Sequence, residues 1–156
     1  MTMTKMTLKT EGDKHVVVTR RFAASPEAVY RAHTEPSIIQ KWLLGPDGWT
    51  MPVCVSEARP GGKIRYEWAD GKGKEFYVTG EYVTLEPFRR IVHVERMHLP
   101  GPTPDNHVET TFEPDENGTL MTIRMTLPDA QTRKRMLASG MEHGMEASYV
   151  RLEAML

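Results

Sequence analysis

The C-terminal stretch DAQTRKRMLASGMEHGMEASYVRLEAML, Asp129–Leu156, decides the fold, because its apolar residues recur at helical spacing. One side of the predicted helix carries a stripe of apolar and small residues: Leu137, Met141, Gly144, Met145, Ser148, Leu152 and Met155, with Gly140 and Leu156 at its margins. Glu142 and Glu146 fall on the opposite side, and Asp129 can cap the first turn. The pattern predicts one amphipathic helix of roughly 40 Å that lies along a core.

The small residues of this stripe, Gly140, Gly144 and Ser148, are unusual in a core-facing helix. Each glycine costs about 1 kcal/mol relative to alanine in a helix interior. Small side chains either let a neighbouring backbone come close or leave space unfilled, and the methionines between them adapt to irregular shapes. Two interpretations stay open: an ordinary helix-on-sheet core with a bend at the glycines, or a helix that closes a cavity.

Upstream, the sequence predicts a strand followed by two short helices. The β-branched run within His15–Phe22 favours a strand, and Thr7–Thr10 could form another before it. Ser25 and Pro26 are typical of a helix start, and this helix ends at Thr34. Pro36 begins a second helix, whose apolar face consists of Ile38, Ile39, Trp42 and Leu43.

The middle of the chain is almost entirely strand and turn. Strands are predicted over Trp49–Ala58, Lys63–Ala69, Glu75–Leu85, Arg90–His98, His107–Glu113 and Leu120–Leu127. Arg59-Pro60-Gly61-Gly62 fits a type II turn, while Asp70-Gly71 and Asn117-Gly118 are hairpin signals. Leu99–Asn106 is a loop rich in Pro and Gly.

These elements predict an α+β fold in which a curved antiparallel sheet wraps around a long C-terminal helix. We expect a single domain over residues 15–156, with residues 1–14 as an N-terminal extension or a short extra strand.

Composition excludes several classes of protein. Lys and Arg number 20 against 21 Asp and Glu, so the net charge of −1 gives no footprint for nucleic acid. Cys54 is the sole cysteine, which excludes an intrachain disulfide and a multi-cysteine metal site. No phosphate-binding glycine loop or metal-binding histidine motif is present, so we expect no cofactor and no metal. The lack of a long apolar run argues against a signal peptide or membrane span and favours a cytoplasmic protein.

The strand containing His93 and Glu95 carries the candidate polar site. The two residues are two positions apart, so both side chains point to the same side of the strand. If the Ile91 side faces inward, the pair enters a cavity wall, where it could anchor the polar end of a ligand or act as a base and its orienting group. If Val92 and Val94 face inward instead, the pair is solvated, and strand alternation alone leaves both alternatives open.

Several segments together carry a resemblance to a known family. They are Arg20-x-Phe22-x-Ala24-x-Pro26-Glu27-x-Val29-Tyr30-x-Ala32-x-Thr34-x-Pro36, Trp42 with Gly45-Pro46, Trp49-Thr50-Met51-Pro52-Val53-Cys54, Arg59-Pro60-Gly61-Gly62, and Gly140-Met141-Glu142-x-Gly144 with Ser148 and Arg151-Leu152. On these residues the chain, from about Lys14 onward, resembles the AHSA1-like (activator of Hsp90 ATPase homologue 1-like) branch of the START/Bet v 1-like SRPBCC superfamily. Glu57 departs conservatively from the Asp that relatives usually carry.

The resemblance implies the helix-grip fold, with an apolar cavity between the sheet and the C-terminal helix. It also implies binding of a small hydrophobic or amphipathic molecule there. The expected ligand-binding residues are Trp42, Tyr66, Trp68, His93, Glu95, Phe112, Met121, Ile123, Met141, Gly144, Met145 and Ser148.

Other functions stay open on the sequence. An alternative is a cavity-based enzyme of the cyclase/aromatase or hydrolase type that uses His93 and Glu95, although no nucleophile or oxyanion donor is evident. A weaker alternative is a protein-interaction module of the Hsp90-activator kind, although eukaryotic activators carry a further N-terminal domain that this chain has no room for. The sequence leaves a homodimer open.

Overall fold

The computed structural model describes residues 5–98 and 101–156. Its strands are β1 (Thr7–Glu11), β2 (His15–Phe22), β3 (Thr50–Ser56), β4 (Lys63–Ala69), β5 (Glu75–Glu86), β6 (Arg90–His98), β7 (Asn106–Asp115) and β8 (Gly118–Thr126). Its helices are α1 (Pro26–Thr34), α2 (Pro36–Trp42), α3 (Ala130–Ala138) and α4 (Met141–Met155). The predicted fold class is confirmed: an antiparallel sheet, two short helices after its first long strand, and a C-terminal helix.

All the strands join one sheet in the order β1-β2-β8-β7-β6-β5-β4-β3. β2 pairs with β8, so the first long strand of the chain lies beside the last strand. Thr7–Glu11 forms the edge strand beside β2, whereas residues 1–4 of the expected N-terminal extension lie outside the described residues. Leu99 and Pro100 of the predicted loop also lie outside them, and Asn106 already belongs to β7.

Two of the predicted turns can be compared with the structure: one lies where the sequence predicts it, and the other lies one residue earlier. Gly61 has φ +82°, and the N–H of Gly62 donates to the carbonyl of Arg59 at 2.8 Å, as a type II turn requires. In the last hairpin the predicted turn residue Gly118 is already paired with Asp115, so the turn precedes it by one position. Glycine is needed there for another reason, because a Cβ would overlap the carbonyl oxygen of Phe22.

The prediction of one continuous helix over Asp129–Leu156 was wrong. α3 ends at Ala138, and Gly140 adopts φ +87°, in the left-handed region, before α4 begins at Met141. Glycine takes this conformation without the steric cost that a Cβ brings, which explains its presence at the break. The predicted cap is present, since the Asp129 carboxylate accepts from the N–H of Thr132 at 2.7 Å.

Alanine substitutions at the two helix glycines are expected to have opposite effects. Gly140→Ala should lower the free energy of unfolding by about 1–2 kcal/mol, because Ala is strained at positive φ. Gly144→Ala should raise it by about 1 kcal/mol, because Gly144 lies inside α4 and its added Cβ would meet only Pro46, at 3.9 Å. Urea unfolding measures both, and a stabilising Gly140→Ala would mean that the helix runs through this position.

The helices cover one face of the sheet, here called the inner face. Leu152 of α4 is fully buried against it, and Tyr149 stacks on Trp42 with ring centroids 5.7 Å apart. Tyr149 was absent from the predicted stripe, and Met155, which belonged to it, is 42% exposed. The core therefore centres on α1, α2 and the C-terminal half of α4.

Candidate functional site

The structure places His93 and Glu95 on the inner face. Ile91 is buried in the core, and the alternation of β6 puts the next two odd-numbered positions on the same side. The pairing agrees, because His93 lies opposite the buried Tyr82 of β5. The alternative with Val92 and Val94 facing the core is therefore not the arrangement observed.

His93 and Glu95 contact each other directly. Nε2 of His93 lies 2.8 Å from Oε1 of Glu95, and since a carboxylate only accepts, Nε2 carries the proton. Their side chains are 19% and 31% exposed, although they point inward. Solvent therefore reaches this part of the inner face.

The opposite half of the inner face is filled. Val108 of β7 and Ile123 of β8 face the same way and are 3% and 5% exposed. The contrast identifies the part of the inner face over β3–β6 as the less covered part, here called the inner cleft. Its polar wall consists of Cys54, Tyr66, Tyr82, His93 and Glu95.

Two hydroxyl groups in this region, on β3 and β5, are hydrogen-bonded to each other. Ser56 donates to the carbonyl of Thr34 at 2.7 Å, so the Tyr82 hydroxyl, 2.6 Å from Ser56 Oγ, must be the donor in that contact. Tyr66 of β4, the strand between β3 and β5, lies close to Tyr82. Burial raises the pKa of Tyr66 well above its usual value and also raises that of Tyr82, so both phenols are neutral.

His33 of α1 lies beneath the same region and is not among the site residues predicted from the sequence. Its Nδ1 lies 2.7 Å from the carbonyl of Val29, so Nδ1 carries the proton. Its Nε2 is buried and has no hydrogen-bonding partner among the residues described. The pKa of His33 is lowered to about 4, mainly by burial and to a smaller extent by the nearby His93, so the ring is neutral at pH 7. His33 lies four positions after the core residue Val29, so helical spacing was the signal in the sequence that could have placed it on the core side of α1.

The predicted site residues separate into two groups. Six border the opening or face the sheet from α4 and are only partly buried: Tyr66, Trp68, His93, Glu95, Met141 and Met145. Four are fully buried in the packed half of the inner face or among the helices: Trp42, Phe112, Met121 and Ile123. The latter contact other side chains of the core.

Gly144 and Ser148 face the loop between α2 and β3. The N–H of Gly45 donates to Ser148 Oγ at 2.9 Å, and Pro46 is the neighbour of Gly144. Arg151, one turn further, donates to the carbonyls of Trp42 and Gly45, both at 3.2 Å. Ser148 and Arg151 therefore hold this loop against α4, whereas Gly144 leaves room for a methyl group beside Pro46.

Cys54 is an unreactive member of the wall. It pairs across the sheet with Tyr66, and burial raises the pKa of its thiol to about 11. Because the thiolate is the nucleophilic form, Cys54 does not supply a nucleophile at pH 7.

Two hollows outside the inner cleft have volumes of about 570 and 520 Å³. The first lies at the β5–β6 turn beside Phe88 and Arg89, and the second lies between Met6 and Gly140. Neither is lined by residues of the cleft wall. Within residues 5–98 and 101–156, no three His, Cys, Asp or Glu side chains are grouped as a metal site requires. None of the helices described there combines the length and apolar character of a membrane span.

A sheet that carries a C-terminal helix over its inner face, with a partly open cleft beneath, defines a helix-grip protein. The profile of the family described as activator of Hsp90 ATPase homolog 1-like protein (AHSA1) matches residues 23–156. The chain belongs to this family, whose helix-grip fold commonly binds hydrophobic ligands. No curated protein matches the sequence.

Solved structures from several bacteria share the fold. A protein from Rhodobacter sphaeroides is 30% identical, with a TM-score of 0.90 and coverage of 97% of each chain. A protein from Chromobacterium violaceum is 28% identical, with a TM-score of 0.76 over 91% of this chain and 96% of that one. An AHSA1-like protein from Aeromonas hydrophila is 18% identical, with a TM-score of 0.74 over 90% and 92% of the two chains, a likeness of fold alone.

Proposed function

We propose that the protein binds a small hydrophobic or amphipathic molecule in the inner cleft. The observation that carries the proposal is the exposure of two inward-facing polar side chains, 19% for His93 and 31% for Glu95, on a face whose other half is packed. A concave site with mostly apolar walls and a few convergent polar groups is the usual form of a small-molecule site.

The apolar part of the cleft suits such a ligand. Trp68 is held by a hydrogen bond from its Nε1 to the carbonyl of Leu43 at 2.7 Å and stacks on Phe76. Met141 and Met145 precede the buried Leu152 on the same side of α4 and are only partly buried. Rigid aromatic surfaces opposite adaptable methionines accommodate apolar bodies of varied shape.

The contact between His93 and Glu95 also resembles a base with its orienting group, but the wall supports binding better than catalysis. Cys54 is protonated, and the hydroxyls of Ser56 and Tyr82 donate to other protein groups. In the part of the chain that the structure describes, the wall thus shows a base without an activated nucleophile. Binding is the function that this geometry supports best.

Titration with 1-octanol tests the proposal by calorimetry and by thermal unfolding. We expect saturable binding and a rise in Tm that grows with the alcohol concentration. Met145→Trp should fill the cleft and remove at least nine-tenths of the binding, whereas Met155→Trp, at the exposed end of α4, should leave it unchanged. Unfolding without alcohol checks that both variants are folded. No saturable binding, or equal binding by both variants, would overturn the proposal.

A further inference from the structure

The polar wall of the inner cleft presents mainly hydrogen-bond acceptors. Ser56 donates to a backbone carbonyl, so Tyr82 must donate to Ser56. Neither of these two hydroxyls therefore has a proton left to donate to a ligand.

Each of the two histidines also keeps one ring nitrogen as a hydrogen-bond acceptor. Nδ1 of His33 donates to the carbonyl of Val29, which leaves Nε2 of the neutral ring as an acceptor. His93 directs its Nε2 proton at Glu95, which leaves Nδ1 of a neutral ring as an acceptor too. Neither His33 Nε2 nor His93 Nδ1 meets a hydrogen-bonding partner within the described ranges, and both atoms are buried.

Glu95 adds the charge of this wall. Its carboxylate offers four lone-pair positions, and the contact with His93 occupies one of them. Asn106, opposite Glu95 on β7, has both a donor and an acceptor in its amide, so it accommodates either kind of group. Arg20 of β2, a strand distant from Glu95, also lies on the inner face. Its guanidinium forms an ion pair with the carboxylate of Glu153 at 3.2 Å.

A wall of acceptors selects a ligand with donors. A buried polar group that lacks a hydrogen bond costs about 1–3 kcal/mol, and a ligand hydroxyl or amine would remove that cost. A ligand carboxylate brings more acceptors and meets the like charge of Glu95 at low dielectric.

On the basis of the proposed function, we infer that the ligand of the inner cleft is a neutral or cationic amphiphile. Its polar end donates hydrogen bonds, as an alcohol or an amine does, and directs them at Glu95 and the two histidines. Carboxylate amphiphiles such as fatty acids are excluded.

Three probes with the same apolar tail test the inference: 1-octanol, octylamine and octanoate. Calorimetry on the full chain at pH 7.5 should show that 1-octanol and octylamine bind at least ten times more tightly than octanoate. Glu95→Gln should reduce the ratio of octylamine to octanoate affinity at least fivefold, because the amide removes the charge and adds a donor. Glu113→Gln, an exposed carboxylate on the other face of the sheet, is the matched control and should leave the ratio unchanged.

The outcomes separate this inference from the function on which it rests. Octanoate binding as tightly as 1-octanol would overturn the inference while the cleft remained a binding site. An unchanged ratio in Glu95→Gln would also overturn it. If none of the three probes binds the wild-type protein, the proposed function and the inference both fail.

Discussion

Gly118→Ala is expected to lower the free energy of unfolding by about 3 kcal/mol, the upper end of the cost of overpacking a core. The added Cβ would overlap the carbonyl oxygen of Phe22 and lie 3.0 Å from the backbone N of Ala24. Both obstacles are backbone atoms, and Phe22 is tied to β8 by its pairing with Thr119. Relief would therefore require β2 and β8 to separate near the start of α1.

Gly101→Ala is the control for this substitution. Its Cβ would meet nothing within 4 Å, and Gly101 does not have a positive φ. We expect a change within about 0.5 kcal/mol in urea unfolding. Equal effects of the two substitutions would show that β8 does not approach the end of β2 as closely as described.

Lowering the pH from 7 to 5 is expected to cost the protein about 2 kcal/mol of stability through His33 alone. The pKa of His33 in the folded state is about 4, below its ordinary value of 6.5, because burial disfavours the charged ring. The unfolded chain therefore binds the proton more readily. The stability from His33 is complete above pH 6.5 and is lost as the pH falls towards 4.

Unfolding by urea at pH 7 and pH 5 measures this loss. His33→Gln should lose about 2 kcal/mol less than the wild type between the two pH values, whatever its stability at pH 7. His143→Gln, an exposed histidine of α4, should show the wild-type difference. If His33→Gln and the wild type lose the same amount, the His33 ring is not held neutral by burial.

The order of elements could be predicted from the sequence because it rests on local chemistry. β-branched residues define β2, Ser25 caps α1 with a hydrogen bond from the N–H of Ala28, and Pro60 with Gly61 sets a type II turn. Strand alternation also placed His93 and Glu95 on one side, but it could not say which side, since that depends on packing against α1 and α4.

The features that the sequence could not supply are tertiary. A glycine in a helical pattern is compatible with a bend or a break, and only its φ of +87° identifies Gly140 as a break. The hydrogen bond from Gly45 to Ser148 joins α4 to the loop between α2 and β3, a contact that a helical wheel cannot show. The hydrogen bond between Tyr82 and Ser56 needs the register of β3, β4 and β5.

The most direct measurement is a methyl NMR titration of methionine-labelled protein with 1-octanol. We expect saturable shifts of the Met141 and Met145 methyl groups, which face the sheet from α4, and none at the exposed Met155. Shifts that spare Met141 and Met145, or none at all up to the solubility limit of the alcohol, would contradict a binding site in the inner cleft.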